Sequence, residues 1–312
     1  MIFFMKFDVL GFGAINLDKI CRVDRIVGPG EENFISDMIL TPGGSAANTI
    51  VALAKLNLKT GYIGKVGCDE DGEFLIKDFQ REYVNIEGII KSDKGFSGQS
   101  LIFEDASGER QIYIYPGAND ELQFDEVDCD YANDTKVLHL TSFVGNKPFK
   151  AQKKIIDKLA NIMITFDPGD IYASKGIKTL KSIIGKSSII FTNTSKHNES
   201  IEIITNQDYE KACKFLIENG AEIVAIKLGS RGCYVTDLNE SYLIEPYRVN
   251  PVSTTGAGDA FDAGFIYGLL KGKDIFYCGK FGNYIASRCI TAPGARRGLP
   301  TEECIAEFEK TL

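Results

Sequence analysis

The sequence lacks a CxxC pair, a low-complexity linker and a basic excess, and it has only two histidines. It also lacks any apolar run of about 18 residues or more, so nothing is expected to span a bilayer. The opening MIFFM is apolar but shorter than a signal-peptide core, and an acidic residue follows at Asp8. It reads as the lead-in to a buried strand, with Met5 as an alternative start. Lys and Arg number 35 against 43 Asp and Glu, a formal net charge of −8. Sequence-independent nucleic-acid binding needs a basic face, and this composition argues against one. The eight cysteines (Cys21, Cys68, Cys129, Cys213, Cys233, Cys278, Cys289 and Cys304) stand far apart. Several lie in apolar runs, where a thiol behaves as a small hydrophobe, so they read as reduced residues of a cytoplasmic protein. Neither His139 nor His197 supports a Ser–His–Asp or metal-ligand cluster, and His139, in VLHLTSF, reads as the end of a buried strand.

What is present is an ordinary globular composition, with 44% hydrophobic and 25% charged residues among 312. Short apolar runs alternate with amphipathic segments, the pattern of strands joined through helices in a largely parallel sheet. Buried strands are expected at Phe7–Gly11, Lys136–Leu140, Ile162–Phe166, Ser188–Phe191 and Glu222–Leu228. Helices are expected at Ala46–Leu56, Gly72–Tyr83, Phe149–Leu159, Tyr209–Asn219, Gly258–Leu270 and Phe276–Thr291. The fold class is therefore α/β, a three-layer sandwich around a central, mostly parallel sheet, in one domain over 1–312. Two stretches break the rhythm. Lys19–Leu40 reads as two short strands around VGPGEE, and Gln99–Tyr115 as a hairpin turning at ASGE. In the hairpin Ile112 and Ile114 share one face, with Tyr113 and Tyr115 on the other, so one side suits a ligand or a second subunit. Together these excursions form a small β-lid, about 18–41 and 97–116, over the mouth of the main sheet.

The densest signal is Thr254-Thr255-Gly256-Ala257-Gly258-Asp259, followed by a helical run. Amides at a helix start have no partner within the helix, and glycine and alanine let an anion approach them. Asp259 caps such a helix, or it takes the proton of a hydroxyl attacking a phosphate held there. Asn16 and Asp18 follow the first strand two apart, so in extended backbone both point one way. An amide and a carboxylate so placed suit vicinal hydroxyls, although both residues also favour turns.

TTGAGDAFDAGF resembles the C-terminal signature of the ribokinase (PfkB-type) carbohydrate kinase family. GFGAINLD at Gly11–Asp18, PGGSAAN at Pro42–Asn48, PGAN at Pro116–Asn119 and LGSRG at Leu228–Gly232 resemble the family's other motifs, in order along the chain. The resemblance implies ATP as donor and Asp259 as base, with an anion hole from the amides of Gly256, Ala257 and Gly258. It implies sugar contacts from Asn16, Asp18, Gly43, Gly44 and Asn48; Ser45, where ribokinases proper often carry a lysine, reads as the N-cap of the following helix. Lys227, Gly229, Ser230, Gly232 and Asn193 would hold the nucleotide, and Asn283 would flank its adenine. Mg2+ is implied between the β- and γ-phosphates.

The sequence departs from the family at three places. Lys196 stands where many relatives carry a glutamate that organises magnesium waters, leaving Glu199, one helical turn on, as its indirect substitute. Ser253 replaces an aspartate of a monovalent-cation site, which argues against potassium activation. Arg296 and Arg297 follow the last nucleotide-side helix and read as surface cover, with phosphate contact as the other reading. The function expected is phosphorylation of ribose, then of a nucleoside, with hexoses and keto-sugar acids behind. A non-catalytic nucleotide or sugar sensor is the alternative from another class. Pairing of two lids in a homodimer is the expected assembly.

Overall fold

The computed structural model describes residues 5–193 and 209–312, so Thr194, Ser195, Lys196, His197 and Glu199 lie outside the described residues. The chain opens with β1 (Phe7–Phe12), leaves the main sheet for β2 (Asn16–Arg22) and β3 (Asp37–Gly43), and returns through helix α1 (Ser45–Lys55) to β4 (Thr60–Gly67). Helix α2 (Glu70–Arg81) leads to the short strand β5 (Ile89–Ser92), and the hairpin β6 (Gly98–Glu104) and β7 (Arg110–Tyr115) follows. After α3 (Cys129–Asn133) come β8 (Thr135–Thr141), α4 (Asn146–Lys158), β9 (Met163–Asp167), α5 (Gly169–Ala173) and α6 (Ile177–Ile184). The strands β10 (Ile189–Asn193) and β11 (Ile223–Lys227) flank α7 (Tyr209–Glu218). A hairpin of β12 (Cys233–Thr236) and β13 (Ser241–Ile244) precedes α8 (Ala257–Leu270), α9 (Ile275–Cys289) and α10 (Glu303–Glu309).

The main sheet runs β13-β12-β11-β10-β9-β8-β1-β4-β5, parallel except at its β12–β13 edge. Alternation along its strands builds two cores. Val9, Val137, Ile189, Phe191 and Ala225 face α1, α2, α8 and α9. Leu10, Leu138, Leu140, Ile190, Val224 and Ile226 face the opposite helix layer, including α4, α6 and α7. Burial on both faces explains why these strands read as short apolar runs. The strand order reverses direction at β1, which pairs with both β4 and β8, and in such sheets the crevice beyond the strands' carboxyl ends holds ligands.

Strand β4, TGYIGKVG, carries no clear strand signature, because glycines interrupt it. A Cβ at Gly61 would lie 2.3 Å from the Tyr131 hydroxyl, and one at Gly64 would lie 2.8 Å from Ile15. Close packing, rather than strand propensity, chose those residues.

The second sheet, β3-β2-β6-β7, pairs β2 antiparallel with β3 and parallel with β6. It begins at Asn16, two residues ahead of the expected lid. Ile102, Ile112 and Ile114 face the crevice, whereas Met38, Leu40, Tyr113 and Tyr115 stand exposed on the outer side.

Candidate active site

Three loops converge at the carboxyl end of β1. Asn119, itself only 1% exposed, accepts from Ile15 N–H at 2.9 Å and donates to Ile15 O at 2.9 Å and to Asn16 Oδ1 at 3.0 Å. Asn16 thus accepts through its oxygen and keeps its NH2 as the donor toward the cavity that it lines. Gly98, opposite Asn16, leaves room for this arrangement, since a Cβ there would lie 2.1 Å from Asn119 Nδ2. Asp18 lies against Gly43, where a Cβ would fall 2.1 Å from Oδ2. Burial pushes the Asp18 carboxyl up to about 6, against a Ser100 hydrogen bond and the Arg296 charge.

Ser45 is the first residue of α1 and does not cap it. Gly44 holds the cap position at φ 104° with no side-chain bond, and Thr141 Oγ1 from β8 accepts the Ala46 N–H at 3.2 Å instead. On the second turn of α1, Asn48 Nδ2 donates to Asp259 Oδ2 at 2.8 Å, and Thr49 Oγ1 donates to Asp259 O at 3.1 Å. Helices α1 and α8 are thereby locked together beside the carboxylate.

Gly256 caps α8 in the left-handed region, φ 80°, and a Cβ there would lie 2.6 Å from Ala295 Cβ. The Ala257 N–H closes a long turn bond on Thr254 O, 3.3 Å, so it is not wholly free for an anion. No acceptor among the described residues takes the N–H of Gly256 or Gly258. Burial pushes the Asp259 carboxyl up to about 6, although the Asn48 hydrogen bond and the Lys227 and Arg296 charges pull it down.

Beneath the turn, Lys227 Nζ donates to Asp167 Oδ2 at 2.7 Å and to Asp262 Oδ1 at 3.0 Å. Its ammonium is therefore ion-paired with both carboxylates, and it lines the cavity wall under Gly258. Burial acts against ionisation throughout this trio, yet Lys227 holds Asp167 below the usual range while Asp262 is raised well above it. Asn283 Nδ2 donates to Ile244 O and Glu245 O at 3.2 and 3.1 Å, which ties α9 to the end of β13, and the residue lines the same cavity wall. His139 is fully buried, its Nδ1 2.9 Å from Thr165 Oγ1, in keeping with a structural residue.

Two cavities result. The smaller, about 290 Å³, is lined by Asn16, Asp18, Gly44, Asn48, Ser100 and the lid isoleucines. The larger, about 910 Å³, is lined by Asn193, Lys227, Gly229, Ser230, Gly232 and Asn283 among others. Ser45, Arg110, Gly256 and Asp259 line both. Arg110 carries no local sequence signature, yet it reaches from β7 to donate to Thr255 Oγ1 at 2.8 Å. Such a lid-to-floor contact joins residues 145 apart and leaves no local pattern. Arg296 corrects the surface reading: it is buried, 9% exposed, behind Asn48, whereas Arg297 is exposed as expected.

The sequence pattern of the pfkB family carbohydrate kinases matches residues 6–302. The chain belongs to that family. It is a sugar kinase, a phosphotransferase acting on hydroxyl groups. This kinase is 43% identical over 253 residues to an uncharacterised sugar kinase of Archaeoglobus fulgidus, covering 80% of this chain and 98% of that one. It is 31% identical to a 5-dehydro-2-deoxygluconokinase of Clostridium perfringens, over 98% and 93% of the two chains. Its fold resembles the crystal structure of a ribokinase from Thermotoga maritima, with TM-score 0.84, 28% identity and coverage of 97% and 99%. Kinases of this family generally use ATP with Mg2+. No helix among the described residues of this kinase is long and apolar enough to cross a membrane.

Proposed function

We propose that this kinase transfers the γ-phosphate of ATP to a hydroxyl of ribose or a related sugar, with Asp259 as the general base. One observation carries the reading. The small and large cavities share the carboxylate of Asp259 and the helix-capping Gly256, so an acceptor in one and a triphosphate in the other meet at a single point. Asn16 donates to a sugar hydroxyl and Asp18 accepts from its neighbour, which orients the diol. Asp259 takes the proton from the attacking hydroxyl. The amides of Gly256 and Gly258, at the positive end of α8, face the charge on the moving phosphoryl group, with Arg110 above them. Closure of the lid isoleucines excludes water and limits hydrolysis of ATP.

Magnesium needs only one or two protein carboxylates here, since phosphate oxygens and water supply its other ligands. Asp167 and Asp170 bring two carboxylates to the donor-cavity wall, which fits that need; Asp167 is already paired with Lys227, so Asp170 is the better-placed of the two. Held there, the ion would supply positive charge that offsets the charge of the donor's phosphates.

A nucleoside acceptor is the second reading, favoured by the apolar wall of Ile102, Ile112, Ile114, Val144 and Ile171 across the small cavity. A flat base packs against such a wall; a free pentose has little apolar surface to offer it. The exposed outer face of the lid, Met38, Leu40, Tyr113 and Tyr115, further suits pairing with a second copy of the chain.

Coupled ADP release with Mg·ATP over pentoses, hexoses and nucleosides tests the assignment. Release that depends on an added acceptor is expected, with ribose or a ribonucleoside foremost. ATP binding with no acceptor-dependent release anywhere in the panel would make the protein a sensor instead.

A further inference from the structure

We propose that Arg296 is a positioning residue, which sets the Asn48 amide and through it the Asp259 carboxylate. The inference rests on the reading of Asp259 as base. Arg296 follows α9 and is buried between α1, α2 and the Gly43 loop, its guanidinium 5.6 Å from the Phe79 ring centroid.

Its planar group divides between partners. Nε donates to Asn48 Oδ1 at 2.8 Å, Nη1 donates to Asp78 Oδ2, and Nη2 reaches Gly43 O at 3.5 Å. A carboxamide has one acceptor end and one donor end, and nothing intrinsic to Asn48 decides which faces Asp259. Guanidinium carries only donors, so only the oxygen of Asn48 can face Arg296. Nδ2 is then left on the Asp259 side, where it donates at 2.8 Å. The reversed amide would set oxygen against carboxylate and NH2 against guanidinium, two repulsive contacts in place of two hydrogen bonds.

Asp78 shows that the arginine does more than tie its loop to α2. A simple ion pair would place both carboxylate oxygens on one guanidinium fork. Here Oδ1 takes Arg81 and Oδ2 takes Arg296, which leaves the Nε edge of Arg296 for Asn48. Lysine keeps the charge but cannot reach Asp78 and Asn48 together from one rigid plane. The chain of contacts thus runs Asp78, Arg296, Asn48, Asp259, from three helices and the stretch after α9.

Steady-state kinetics of Arg296→Lys, Asn48→Ala and the double variant test this, each at a temperature well below its melting point. Arg296→Lys is expected to lower kcat at least about tenfold, with acceptor KM changed less than about threefold. In the Asn48→Ala background the same substitution should cost less than about twofold more, because residues acting through one contact are not additive. Independent, multiplicative losses, or a rise in KM alone, would overturn the proposal. If Arg296→Lys fails to fold, Asp78→Asn removes only the far anchor, and the same cycle with Asn48→Ala decides. A kcat loss that vanishes in that background supports the chain of contacts, and one that persists overturns it. Asp259→Asn, assayed alongside, separates this outcome from failure of the base assignment itself, which would leave that variant fully active.

Discussion

Asn48 Nδ2 lies 2.8 Å from Asp259 Oδ2, a hydrogen bond between residues 211 apart that brings the second turn of α1 to the first turn of α8. The contact favours the charged carboxylate at a place where burial opposes it. In the proposed mechanism, its balance with burial sets the pH at which Asp259 can accept a proton.

Activity should fail on the acid side. A base must be unprotonated, and the carboxyls of Asp259 and Asp18 are both pushed up to about 6. We expect kcat to fall as pH drops through about 6, approaching tenfold per pH unit below it. A profile of kcat flat from pH 8 to pH 5 would count against Asp259 as base.

The same burial costs stability, and the sign follows from proton binding. Between the ordinary carboxylate value of 3.8 and about 6, the folded state holds more protons at Asp259 than the unfolded state does. Stability from this group therefore falls as pH rises across that window and stays low above it. Asp259→Asn should melt higher than the parent at pH 7.5, by roughly 1–2 kcal/mol or a few degrees. The advantage should shrink toward pH 4. Thermal melts at both pH values check the pattern, and a lower melting point at pH 7.5 contradicts it.

Arg110 carries the lid's only charge at the junction of the two cavities, held there by the neutral Thr255 hydroxyl at 2.8 Å. Arg110→Ala should lower kcat by at least about tenfold, since a cation facing a transferring phosphoryl group acts mainly in the transition state. Arg110→Lys should recover part of that loss. Equal kcat with only a raised ATP KM would reduce Arg110 to a binding contact.

Gly43 is predicted to be intolerant for reasons of space. A methyl group there would meet all three carboxyl atoms of Asp18 within 2.1 to 2.5 Å. Gly43→Ala should raise acceptor KM several-fold while ATP KM stays near the parent value. Isothermal titration with the acceptor and with ATP would show whether the loss is confined to one ligand.

The outer lid face predicts association. Leu40, Tyr113 and Tyr115 are each about half exposed, a grouping that water disfavours. Light scattering should give about twice the 34.4 kDa chain mass, and Tyr113→Glu should reduce it toward one chain. A monomer at micromolar concentration refutes this.

Much of the architecture was legible because burial on both sheet faces writes itself as short apolar runs. The expected segments Lys136–Leu140 and Gly258–Leu270 fall within two residues of β8 and α8. Strand β4 was not legible, since its glycines serve the packing of Tyr131 and Ile15 rather than strand propensity. At the site, residues with local signatures stand around two cavities that meet: Asn16 and Asp18 on one strand, and the glycine turn at 256–259. What the sequence hid were groups defined by distant partners. Lys227 is neutralised by Asp167 and Asp262, 60 and 35 residues away, and Arg296 turns inward because Asp78 and Asn48, more than 200 residues earlier, receive it. An arginine pair after a helix looks the same on the surface and in the core.

The most direct measurement is turnover and acceptor affinity in Asp259→Asn, with the acceptor found by the ADP-release panel. The account predicts acceptor binding within a few-fold of the parent by calorimetry and kcat reduced by at least about a hundredfold. Turnover near the parent value, with the acceptor bound normally, would contradict it.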